Sequence, residues 1–138
     1  MAGNAPATYR VTVPAEPDGL DHLHALIASA RRDWPAVDGK DFDLLETAII
    51  ELAGNVARHG RPTGATDVTL SVSVHESALE ATLVDAGARF DVDLDTVDLP
   101  PEMEEAGRGI AMARMAVDEL GYDHADGVNT WHLLRNRR

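Results

Sequence analysis

The 138-residue chain contains no cysteine, which excludes disulfides and thiolate metal sites. Aromatic residues are scarce at 4%, so the core must be mostly aliphatic, with Trp34 and Trp131 as packing anchors. Lysine occurs once, at Lys40, and 12 basic residues face 24 acidic ones, for a formal net charge of −12. That balance argues against direct nucleic-acid binding, which needs cations to displace phosphate counterions. It permits a basic protein partner, although solubility alone accounts for it. No apolar run approaches the ~20 residues that span a bilayer, so no membrane association is expected. The opening residues show no basic stretch followed by an apolar one, so no secretory signal is expected either. The expectation is a single cytoplasmic domain over residues 1–138, with 1–7 a flexible lead-in.

What the chain does have is clear periodicity. Tyr9 to Val13 alternates as a short strand. Asp18 can cap a helix through Arg32, whose apolar positions Leu20, Leu23, Ile27 and Ala30 fall three and four apart. Trp34-Pro35 ends it. The Asp38 to Asp41 segment offers a carboxylate cap for a second helix reaching about Arg58, with Leu45, Ile49, Leu52 and Val56 as its core stripe. Asp67 to His75 and Ala78 to Val84 alternate as paired strands around Glu76-Ser77. Residues 86–108 are acidic, carry Pro100-Pro101 and lack periodicity; loops of that length in a small domain are usually functional. Ile110, Ala113, Val117 and Leu120 predict a third helix ended by Gly121, and Val128 to Leu134 a closing strand after Asp126-Gly127. The order β-α-α-β-β-loop-α-β predicts a two-layer α/β sandwich, with a mainly antiparallel mixed sheet covered by helices.

Three short motifs carry chemistry. Glu51 and Asn55 lie one turn apart on the second helix, roughly 110° from its core stripe, so both are expected to border the core without joining it. An Asn oxygen suits Mg²⁺, which keeps waters and substrate phosphates as its other ligands. A neighbouring Glu suits a general base. Alone, the pair is more simply an exposed Glu and a locally bonded Asn. Asp85 ends a strand, and Gly87 beyond it lets the chain turn sharply or approach a ligand. A carboxylate there can accept from an exocyclic amine, but by itself it is more simply a turn. Gly107-Arg108-Gly109 is expected to open the third helix, where a helix N-terminus and an arginine favour phosphate. A hinge is the plainer reading of that triplet in isolation. The six histidines are scattered and form no convincing metal site.

Together, in this order and spacing, the motifs resemble the N box, G1 box and G2 box of Bergerat-fold (GHKL) ATPases, and in particular the small anti-sigma factor serine/threonine kinases. The resemblance runs from Thr8 to about Arg135, through Glu51–Gly60, Asp85–Asp91, Gly107–Leu120 and Gly127–Leu133. Arg89 stands where the wider superfamily often has a second glycine, a form familiar among the anti-sigma kinases. The resemblance implies ATP and Mg²⁺ as cofactors, Glu51 as the catalytic base and Asn55 as the Mg²⁺ ligand. It implies that Asp85 reads adenine and Gly87 shapes its pocket. Gly107, Arg108 and Gly109 then face the phosphates, Thr130 lies near the adenine carboxylate, and residues 87–108 form a lid. The implied activity is phosphorylation of an anti-anti-sigma (STAS-type) protein and sequestration of a sigma factor, by a homodimer. The competing expectation is a catalytically inactive module of the same fold that regulates a partner by association.

Overall fold

The computed structural model describes residues 7–59, 67–87, 89 and 105–138. Strand alternation builds the sheet. Strand β2 (Asp67–Val74) buries Val68, Leu70, Val72 and Val74 on one face and turns its serines and threonine to the other. It pairs with β1 (Thr8–Pro14) and with β3 (Ala78–Ala86), and β3 pairs in turn with β5 (Val128–Asn136). Beyond β5 lies β4 (Glu119–Ala125), giving the order β1-β2-β3-β5-β4. All four pairings are antiparallel, so the sheet contains no parallel pair among the described residues.

Helices α1 (Leu20–Asp33), α2 (Gly39–His59) and α3 (Glu105–Ala116) form the second layer. Asp38 starts α2 by accepting the Lys40 amide at 2.9 Å, as a carboxylate cap should. Asp18, in contrast, falls in a 3-10 turn (Pro17–Gly19), and α1 follows from Gly19 without a side-chain cap. The predicted stripe of α2 is the centre of the core: Leu45, Ile49, Leu52 and Val56 have no exposed surface. They meet Leu70, Leu79, Leu83, Trp131 and Leu133 from the sheet in one buried cluster. Each such side chain contributes about 1.5–3 kcal/mol of burial, so this seam dominates the fold. The opposite face of the sheet carries hydroxyls, with Thr12 and Thr69 bonded at 2.8 Å across β1 and β2.

The third helix departs from expectation at both ends. It begins at Glu105, so Gly107 to Gly109 lie within its first turns rather than before them. It stops at Ala116, and Leu120 and Gly121 belong to β4. The cause is the turn at Asp126-Gly127, with φ of 54° and 75°, which folds residues 119–125 back onto β5. The pairing supplies backbone bonds along the whole segment and overrides a weak helical spacing.

Candidate active site

Two clusters make up the site. In the first, α3 crosses α2 at Gly109. A Cβ on Gly109 would stand 3.0 Å from Glu51 Oε2 and 3.5 Å from both the nitrogen and the oxygen of the Asn55 amide. Glycine is therefore what lets the two helices approach here. The contact brings Gly109, Glu51 and Asn55 together. It also corrects the expectation that both polar side chains only border the core: Glu51 is half-buried, but Asn55 is fully buried. The sequence pattern of α2 alone does not reveal that α3 covers this face.

The second cluster centres on Asp85 near the end of β3, buried to 2% exposure. Asn129, its partner across β3 and β5, donates from Nδ2 to Asp85 Oδ1 at 3.1 Å. Among the described residues Asp85 Oδ2 is buried without a hydrogen-bond partner. Burial pushes this carboxyl above the usual aspartate range, against the opposing influence of Asn129 and His124. Asn129 is held from the far side. Its Oδ1 accepts from the Tyr122 hydroxyl and lies 2.9 Å from His124 Nδ1. The Tyr122 ring packs on Trp131 with centroids 4.5 Å apart.

The clusters share one end of the molecule. Near the start of α2, Asp41 pairs with Arg135 near the end of β5, at 3.0 Å. From Asp41 to Asn55 the helix rises about 21 Å, and from Arg135 back to Asn129 the strand spans about 20 Å. Because α2 packs along β3 and β5, equal spans carry Asn55 to the end of the sheet where Asp85 and Asn129 sit.

Thr130 does not join them. It pairs with Val84 and alternates to the opposite face of the sheet, so Asn129 takes the place beside Asp85 expected for Thr130. Asn129, Tyr122 and His124 are not among the residues that the sequence motifs mark. The signal was present: an Asp-Gly turn between alternating runs marks a hairpin, and Asn129 lies in phase with buried Trp131 and Leu133. Gly87 lies in a bend just past β3 and is half-buried. Gly107 and Arg108 belong to α3, but their surroundings lie outside the described residues, as do residues 88 and 90–104 of the lid expected over 87–108. Among the described residues no group of three or more His, Asp or Glu side chains is arranged to hold a metal ion.

A buried carboxylate at one end of the sheet and a helix pair bearing Glu and Asn are thus placed at the same end of the molecule. Residues 13–133 match the histidine kinase-like ATPase domain family, and the chain belongs to that family. This membership implies nucleotide binding. Among solved structures, the RsbU and RsbW domains of Rv1364c from Mycobacterium tuberculosis superpose with a TM-score of 0.66 at 20% identity. The match covers 97% of this chain and 33% of that one, so this chain spans about a third of its neighbour's length. At that identity the likeness shows the shared fold. No curated protein matches the chain. Among the described residues no helix is long and apolar enough to cross a membrane.

Proposed function

We propose that the protein is an ATP-binding serine/threonine kinase of the anti-sigma, partner-switching type. The observation that carries this reading is Asp85 Oδ2, a buried carboxylate oxygen without a partner among the described residues. An unpaired buried acceptor costs about 1–3 kcal/mol or more, and an exocyclic amine of a nucleobase would relieve that cost. The oxygen thus fits the nucleotide that the family implies. In this reading Gly87 lets the chain pass close to the base, and Gly107, Arg108 and Gly109 face the phosphates.

Asn55 supplies the neutral oxygen that Mg²⁺ takes alongside phosphate and water, and Mg²⁺ when bound neutralises phosphate charge. Glu51, less buried than Asn55, is the base that accepts the proton of an attacking serine or threonine hydroxyl. Gly109 keeps both side chains against α3. The acceptor is a STAS-type anti-anti-sigma protein, and the protein held in its absence is a sigma factor, with a homodimer as the assembly. The protein acts in the cytoplasm.

Transfer of label from γ-labelled ATP with Mg²⁺ to a panel of STAS-type proteins tests this. Wild type should label one member, and Glu51→Ala should slow labelling by about 10²–10⁴ while still binding ATP. Equal rates in the two proteins would remove Glu51 as the base. Stable association with a STAS-type protein but no transfer would select a non-catalytic binding module instead.

A further inference from the structure

His124, Asn129 and Asp85 form a row across β4, β5 and β3. His124 is opposite Asn129 in one pairing, and Asn129 is opposite Asp85 in the next. All three therefore share the helix-facing side of the sheet. Both ends of the Asn129 amide are engaged. Its oxygen takes the Tyr122 hydroxyl and faces His124 Nδ1 at 2.9 Å, while its nitrogen donates to Asp85 at 3.1 Å. Turning the amide over would set its oxygen against the carboxylate, which cannot donate when ionised, while Tyr122 and His124 hold the other end of the amide in place. The neighbours thus fix its orientation, which is how an amide is assigned.

The consequence falls on Asp85. One carboxylate oxygen is occupied by Asn129 and the other is not. An ionised Oδ2 accepts from a 6-amino group and repels a 6-oxo group. A neutral carboxyl, with its proton on Oδ2, would do the reverse. Since an N–H bond to a carboxylate favours the charged form, Asn129 opposes the effect of burial.

We propose that Asn129, oriented by Tyr122 and His124, is a positioning residue that sets base selectivity: it fills Asp85 Oδ1 and reserves a single ionised oxygen for a 6-aminopurine nucleotide against its 6-oxo counterpart. The proposal rests on the reading of Asp85 as the base-reading carboxylate. Around that carboxylate, Asn129 and His124 are the polar groups on β5 and β4, while Val68, its partner on β2, is apolar.

Calorimetric titration of ATP and of inosine triphosphate, each with Mg²⁺, tests it in wild type, Asn129→Leu and the double variant Tyr122→Phe/His124→Ala. Wild type should prefer ATP by about a hundredfold or more, since a site built around one hydrogen bond rejects its loss strongly. Asn129→Leu should cut that ratio about tenfold and shift the acid limb of ATP binding to higher pH. A merely structural role would weaken both nucleotides alike and leave the limb in place. The double variant, which keeps Asn129 but frees its amide, should cut the ratio in the same direction and carries the test if Asn129→Leu does not fold. If wild type selects ATP and the variants keep its ratio and pH profile, the proposal fails alone. If wild type binds neither nucleotide, the reading of Asp85 fails with it.

Discussion

At Asp85 the needs of stability and of binding oppose each other. Burial holds its carboxyl above the ordinary range, so the folded state loses stability as pH rises through that range. Asp85→Asn keeps an oxygen for the Asn129 donor and removes the buried charge. The expected outcome is a Tm higher by about 3 °C, read by thermal unfolding, together with loss of ATP binding. A second residue-scale expectation concerns Gly109. Gly109→Val places carbon atoms where Glu51 and Asn55 stand, and should lower phosphate transfer at least tenfold in the labelling assay. Glu51, Asn55 and Asp85 could be singled out in the sequence because each combines an unusual chemistry with a regular frame. Asn129 was harder to see. It is a polar residue at an inward position of a strand, and its meaning depends on Tyr122 and His124 from a strand that the helical spacing concealed.

Among the elements, α2 is the ruler of the site. Its core stripe was legible because aliphatic residues recur at helical spacing, and the same holds for the alternating β2 and β3. Its anchoring was not. Asp41 is 1% exposed, bonds Arg135 at 3.0 Å and takes the Arg138 amide at 2.9 Å, contacts between residues 94 and 97 positions apart in sequence. Periodicity has no access to pairs so distant in sequence. Asp41→Ala leaves the Arg135 guanidinium buried without its carboxylate and should destabilise the protein by about 3–5 kcal/mol, measured by urea unfolding. The β4–β5 hairpin gives the complementary lesson. Spacings of three and four from Ile110 to Leu120 favoured helix, while the Asp126-Gly127 turn favoured a hairpin, and cross-strand pairing decided between them.

For the whole molecule, acid response combines carboxyls of opposite character. Asp118 accepts two bonds from the Arg138 guanidinium and one from the Asn136 amide, and these hold its carboxyl down at about 2. A group depressed in the folded state stabilises it above the unfolded value and loses that contribution as pH falls through the folded one. Wild type should therefore lose stability more steeply than Asp118→Asn between about pH 4 and pH 2, the gap being smaller in high salt because the group is partly exposed. Asp85 runs the other way, since its protonation on acidification relieves the folded state. The two-layer architecture was legible from element order alone. Its wholly antiparallel described sheet and the convergence of α2, α3 and β3 on one end were not, because both follow from how the layers pack.

Calorimetric titration of ATP with Mg²⁺ into wild type and Asp85→Asn is the most direct measurement of whether this end of the molecule holds a nucleotide. Saturable one-to-one binding in wild type, lost in a folded Asp85→Asn, is the predicted result. Absence of binding in wild type, or equal binding in the variant, would contradict the assignment of Asp85 and with it the proposed kinase.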